Sequence, residues 1–243
     1  MKSPSHFLKY RLEKETSKGR ERGSLFDEIL LSTPEQVSEK YHIFAEADIL
    51  DQLKENANPR GTKKYKEWYQ EVSVAAQGKT LVTAQEYGEM HGRATALKEA
   101  YPDIFGPDVK SADNHVMAMG TIDGFDYVGY ADRIYVEQDG QPTILDVKTT
   151  QDAGHKFVNR SFWDFGYNLQ GAIYRELFGI ERVKVLAVEL ASPFVDQIYT
   201  IDDQVLDHAR TKLQAAHARF AVWDRKPAGY SIPNTISLPP WQS

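Results

Sequence analysis

The chain has no cysteine. That excludes disulfides, thiolate zinc sites and iron–sulfur clusters, and it suits a reducing compartment, so a cytoplasmic location is expected. There is no run of about 18 apolar residues to read as a membrane span, and the opening MKSPSHFLKY lacks an apolar stretch of signal-peptide type. An excess of positive charge is also missing. The formal net charge is −6, whereas a protein that grips nucleic acid with its whole surface is basic. Any such binding must therefore concentrate its cations in a groove or channel. No internal repeat, low-complexity segment or separating linker is visible. The 243 residues, 41% of them hydrophobic, suffice for one full core. A single domain over 1–243 is expected, with a helical elaboration to about residue 105 and a sheet-bearing part beyond it.

What is present is concentrated in Tyr127–Thr150. Two apolar-alternating runs flank the turn-rich Gln138-Asp139-Gly140-Gln141-Pro142 and predict a β-hairpin. Alternation puts Asp146 and Lys148 on one side of the second strand, read as its solvent side, with Leu145 and Val147 turned into a core. In the first strand Asp132 is expected to share a face with Val128, Tyr130 and Ile134. Folding the hairpin about Asp139 sets Asp132 opposite Asp146, at a cross-strand distance of ~5 Å. Two carboxylates so close repel unless a cation sits between them. Mg²⁺ takes such oxygen ligands, and a neighbouring lysine can orient a water or stabilise a pentavalent phosphate. The set suits metal-assisted phosphodiester hydrolysis, although a lone D-x-K is a common surface ion pair.

Trp163–Phe178, WDFGYNLQGAIYRELF, predicts a helix. Tyr167, Gln170, Gly171 and Tyr174 fall on one stripe, and the apolar stripe Leu169, Ile173, Leu177 with Ala172 is expected to pack on the sheet.

The three pieces Gly129-Tyr-Ala-Asp132-Arg-Ile, Asp146-Val-Lys148-Thr-Thr and Gly166-Tyr-Asn-Leu-Gln170-Gly-Ala-Ile-Tyr174, in this order and spacing, resemble the PD-(D/E)xK nuclease superfamily. The chain is most similar there to phage recombination exonucleases of the exonuclease VIII (RecE-like) type. The resemblance implies an α/β (α+β) restriction-endonuclease-like core, a mixed central sheet flanked by helices. It implies a 5′-to-3′ exonuclease that uses Mg²⁺ or Mn²⁺ to degrade linear double-stranded DNA for recombination. A toroidal homo-oligomer, trimer or tetramer, and a single-strand annealing partner are implied with it. A nicking or structure-specific endonuclease on the same core, or a catalytically inactive DNA- or partner-binding module, stay open as alternatives. By carry-over Asp132 and Asp146 are metal ligands, with the Val147 carbonyl a further one. Lys148 positions or activates water, and Gln170 and Tyr174 orient the site. The branch of the superfamily that carries an iron–sulfur cluster is excluded by the absence of cysteine.

Two positions depart from the pattern. Gly23-Ser24-Leu25-Phe26-Asp27 resembles the family's glycine-opened helix, in which a histidine ligand usually stands where this chain has Asp27. An exposed helix carboxylate is an equally good reading of it. A glutamate is common near the strand before the hairpin, and Asp113, Asn114 and His115 compete for its place. The DNA contacts expected are Arg20 and Arg22 in the charged Glu13–Arg22 stretch, and Lys156 and Arg160 in the loop leaving the hairpin.

Elsewhere, Ser3-Pro4 predicts a helix start, and Ser24 a cap for a helix reaching Leu31. Glu35–Arg60 reads as short pieces, and Thr62–Gln77 as an amphipathic helix. Thr83 with Glu86 predicts a capping box for Ala84–Ala100. His115–Gly120, Val183–Leu190 and Gln197–Ile201 read as strands. A last helix runs from Asp203 and stops at Pro227, ahead of an irregular tail over Tyr230–Ser243.

Overall fold

The computed structural model describes residues 18–109 and 111–221. The expectations about Ser3-Pro4, Pro227 and the tail fall outside them. Helix α1 (Lys18–Leu31) is followed by α2 (Pro34–Lys40), β1 (Tyr41–Phe44), α3 (Ala47–Gln52), α4 (Lys63–Ala75), β2 (Thr80–Thr83), α5 (Ala84–Ala100) and α6 (Pro102–Phe105). Then come β3 (Ala112–Ile122), β4 (Phe125–Val136), β5 (Pro142–Thr150), α7 (Phe162–Asp164), α8 (Tyr167–Phe178), β6 (Arg182–Glu189), β7 (Asp196–Thr200) and α9 (Asp203–Ala221). Strands β3–β7 form one mixed sheet in chain order, antiparallel except for the parallel pair β5–β6, whose crossover carries α7 and α8. Strands β1 and β2 make a separate parallel pair.

The sheet is covered on both faces around β5 and β6, while β3 and the start of β4 leave Met117, Met119, Val128 and Tyr130 exposed. On one face, α1 and α5 bring Leu25, Phe26, Met90 and Leu97 against Leu145, Val147 and Leu186. On the other, α8 and α9 bring Tyr174 and Leu206 against Ile144, Val185 and Ala187. Strand β6 is therefore apolar on both sides over Val185–Val188, while Lys184, nearer its start, pairs with Glu137 at 2.6 Å. At ~1.5–3 kcal/mol for each fully buried Leu, Ile or Phe, these two layers dominate the stability of the part that holds the hairpin.

Several local expectations are met for the reasons given. Thr83 caps α5, its Oγ1 accepting from the Glu86 N–H at 3.1 Å, but only this half of the expected capping box forms, since the Glu86 carboxylate lies toward Arg22. The β4–β5 register pairs Arg133 with Leu145 and Ile134 with Ile144, as the hairpin requires, and ends there; Asp132 reaches β5 through its side chain, which accepts from the Val147 N–H at 2.6 Å. Others are corrected. Ser24 is no cap, because α1 already runs from Lys18 and holds Ser24 in its interior. Gly23 belongs to that helix: a Cβ there would meet Thr149 Oγ1 at 2.6 Å, so the glycine lets α1 lie directly on β5. The helix expected over Trp163–Phe178 is broken at Gly166, whose φ of 72° is left-handed. Along α8 the buried line is Asn168, Gly171, Ala172 and Tyr174; of the expected stripe Ala172 is buried, while Leu169, Ile173 and Leu177 are partly buried, Leu177 lying against Gly120 and Gly129 of the sheet.

The single face expected for Val128, Tyr130, Asp132 and Ile134 does not hold along β4. Val128 and Tyr130 are exposed, whereas Ala131 and Ile134 both join the α8 core, so the alternation slips between them. His115, across from Asp132 by register, has φ 52° at the same level. The sheet is thus distorted where Asp132 is placed.

Candidate active site

The hairpin strands bring Asp132, Asp146 and Lys148 to one end of the sheet. Asp132 Oδ2 accepts a 2.6 Å hydrogen bond from the Val147 N–H, which ties its carboxylate to the neighbouring strand. Asp146 is held from two sides. Its Oδ2 pairs with Lys148 Nζ at 2.5 Å, and its Oδ1 accepts from Gln170 Nε2 at 3.1 Å. The Gln170 amide also donates to the Tyr174 hydroxyl at 2.7 Å, and that hydroxyl donates to the Tyr130 carbonyl at 2.5 Å. One helical turn separates Gln170 from Tyr174, so α8 locks Asp146 and β4 together through one relay. The Lys148 ammonium lies 5.1 Å above the Tyr167 ring. The expected solvent side of β5 is corrected here: Asp146 is only 4% exposed, because α7 and α8 cover that face.

Burial sets the electrostatics. It pushes the Asp132 carboxyl up to about 8, with Asp146 and Asp27 adding repulsion. Asp27 is raised to about 6, again by burial first, with Lys148 opposing and Asp146 adding to the rise. Burial also raises Asp146 against the pull of Lys148. For Lys148, burial opposes the charge, but Asp146 and Asp132 outweigh it and hold the ammonium protonated.

Asp27 is drawn into this group by α1. It lines a cleft of about 920 Å³ together with Asp132, Val147 and Lys148. Its Oδ1 is buried with no hydrogen-bond partner. Of the expected DNA contacts, Arg20 and Arg22 line the same cleft. Arg22 stands 3.6 Å from Glu86 and 3.8 Å from Glu89. Lys156 and Arg160 are exposed and do not line it; Arg160 pairs with Asp164 at 3.2 Å. None of Asp113, Asn114 and His115 reaches the cleft. Asn114 Oδ1 accepts from the buried Arg133, its amide donates to the Leu31 carbonyl at 2.6 Å, and His115 meets Ser32 Oγ at 3.0 Å.

Sequence reasoning missed Glu189, which is buried beside the cleft. Its carboxylate accepts from the Ala153 and Val195 N–H groups and fixes the segment that leaves β5. A lone acid closing the apolar β6 run was its signal. Glu28, next to Asp27, was missed as well; it is buried against Lys40 at 2.6 Å and Ser32.

A mixed sheet between helices, with D-x-K on a hairpin strand and a Gln–Tyr helix beside it, defines the PD-(D/E)xK nuclease class. The chain belongs to the PDDEXK-like family: the PDDEXK-like domain of unknown function (DUF3799) matches residues 103–226. A candidate exonuclease from Eubacterium rectale shares the fold over 96% of this chain and 82% of its own, at a TM-score of 0.52 and 18% identity. An alkaline exonuclease from Laribacter hongkongensis aligns over 66% of this chain and 81% of its own, at a TM-score of 0.34 and 13% identity. No curated protein matches the chain. Among the described residues, no helix is long and apolar enough to cross a membrane.

PD-(D/E)xK nucleases generally use divalent metals, and the donor set here is of that chemistry. Among the described residues no three of His, Cys, Asp and Glu form a ready-made cage. The carboxylates nonetheless fit a hard cation: Asp27 Oδ1 is buried without a partner, and the neighbouring carboxyl groups are raised by burial and mutual repulsion that a cation would relieve.

Proposed function

We propose that this chain hydrolyses DNA phosphodiester bonds with Mg²⁺ or Mn²⁺. More narrowly, we read it as a 5′-to-3′ exonuclease that degrades linear double-stranded DNA and leaves 3′ single-stranded overhangs for strand annealing. In this reading it is a single domain, acts as a ring-shaped homo-oligomer, and works beside a single-strand annealing protein. The observation that carries the nuclease reading is the meeting of Asp132, Asp146, Lys148 and Gln170 at one end of the hairpin, with the unpartnered Asp27 oxygen beside them.

Asp132, Asp146, Asp27 and the Val147 carbonyl are the groups that would hold the metal. When bound, it would polarise a phosphoryl oxygen and lower the pKa of a water. Lys148 stays protonated between two carboxylates, so its role is to place positive charge where the phosphate gains negative charge, not to accept a proton. Gln170 fixes the direction of the Asp146 carboxylate, and Tyr174 ties that arrangement to β4 through the Tyr130 carbonyl. The Tyr167 ring covers Lys148 and keeps water from screening it.

The test is linear duplex DNA labelled at its 5′ or 3′ ends, beside a circular duplex, with and without Mg²⁺. Loss of 5′ label from linear DNA alone is expected. Cutting of the circle would instead indicate an endonuclease, and no cutting an inactive binding module. Lys148→Ala should lower the rate by ~10²-fold or more, since it removes a charge aimed at the transition state. A rate near that of the wild type would overturn its assignment.

A further inference from the structure

The cleft holds an aromatic group that metal-assisted hydrolysis does not use. Phe165 lines it and is 71% exposed. Its place is set by the backbone. The Phe165 N–H donates to the Ser161 carbonyl at 3.1 Å, and the Gly166 N–H to the Trp163 carbonyl at 3.2 Å. Left-handed Gly166 then turns the chain, so that Phe165 stands out on the rim while Tyr167, two residues on, goes in over Lys148. The two rings are 5.8 Å apart. A continuous line thus runs from the lysine through Tyr167 to an uncovered aromatic on the cleft wall. Trp163, on the same segment, is also exposed.

We propose that Phe165 stacks on an unpaired nucleobase next to the scissile phosphate, so that the cleft takes the single-stranded or frayed end of a DNA strand. This rests on the nuclease reading above. The chemistry matches the position: every base has a π-face, stacking is tolerant of sequence, and the cationic side chains of Arg20 and Arg22 line the same cleft. A base inside a duplex is already stacked on both faces and has none to offer. Phe165 therefore selects for unpaired ends rather than for sequence.

The test is binding of a single-stranded oligonucleotide with 2-aminopurine near one end, and of a blunt duplex of the same sequence, with Ca²⁺ in place of Mg²⁺. Wild-type chain should bind the single strand and quench the 2-aminopurine. Phe165→Ala should weaken that binding roughly 5- to 100-fold and abolish the quench, while Phe165→Tyr keeps both. Binding of the blunt duplex should change less than that of the single strand, because only its terminal pairs have an open face there. Single-strand affinity and quench unchanged in Phe165→Ala would overturn the inference. If wild-type chain hydrolyses linear duplex but the two proteins behave alike on unpaired ends, the inference fails and the nuclease reading stands. If the wild type neither binds nor cuts DNA, both fall.

Discussion

Asp27 and Asp132 line the cleft close to the buried Asp146, and the cost of that crowding depends on pH. Their folded-state pKa values, about 6 and about 8, lie above the ordinary 3.8. A raised carboxyl contributes its stability below the unfolded value and loses it as pH climbs through the folded one. The metal-free chain should therefore lose melting temperature as pH rises from ~5 to ~8.5, and Mg²⁺ should restore most at the high end. Asp132→Asn should flatten the decline; a slope unchanged in that variant would show that the strain lies elsewhere. Asp27 carries a second expectation. As a ligand it adds an anion where the family resemblance implies an imidazole, which favours a hard ion. Asp27→Ala should lose nuclease activity, with partial rescue by excess Mn²⁺, and Asp27→His should retain some. Unchanged rate and metal dependence in Asp27→Ala would make it a spectator. At this scale the sequence shows chemistry better than partners. Asp146 and Lys148 are legible from strand alternation, and Gln170 and Tyr174 from helical spacing. The engagement of Asn114 by Arg133 and Leu31 is not, because it depends on how the β3 end meets α1 and α6.

Helix α1 delivers Asp27, and it can do so because Gly23 lets it touch β5. Gly23→Ala should gain about 1 kcal/mol in helix propensity yet place a methyl 2.6 Å from Thr149 Oγ1. Overpacking of this kind costs about 1–3 kcal/mol, so a net loss in chemical denaturation is expected. Adding Thr149→Ala should recover it; a stabilised single variant would mean that α1 does not rest on β5. The same helix shows why elements were only partly legible. Its first turn, KGRER, is a charged run with no apolar face, and reads as linker until Leu25, Phe26, Ile29 and Leu30 supply a period. Strands β1 and β2 are four residues each, YHIF and TLVT, too short for alternation to stand out in polar surroundings. The hairpin and α5 announced themselves because a turn and a cap fix them locally, whereas the slip in β4 is set by its neighbours.

For the molecule as a whole, an acidic chain must meet an acidic polymer. The net charge of −6 leaves little to attract DNA at large, and a ring with a basic lining would supply a local attraction. Light scattering should then give a mass of several chains; a strict monomer at working concentration would remove that explanation. Within one chain the attraction falls to the cleft, and there Arg22 is placed to respond. Its guanidinium is 3.6 Å from Glu86 and 3.8 Å from Glu89, beyond good hydrogen-bond range; its Nε is buried without a hydrogen-bond partner, while the rest of the three side chains is substantially solvated. Such pairs are worth ~0–1 kcal/mol, less than a charge-assisted bidentate contact to phosphate. An arriving strand should therefore draw Arg22 away from the two glutamates. Each phosphate contact contributes about 0.7–0.9 to the slope of log affinity against log salt. Arg22→Ala should reduce that slope by about one and weaken all sequences alike. Glu86→Gln with Glu89→Gln should raise affinity at low salt, since it frees Arg22 without touching the cleft floor. If the slope in Arg22→Ala equals that of the wild type, Arg22 serves to hold α1 on α5, and the DNA backbone takes another path.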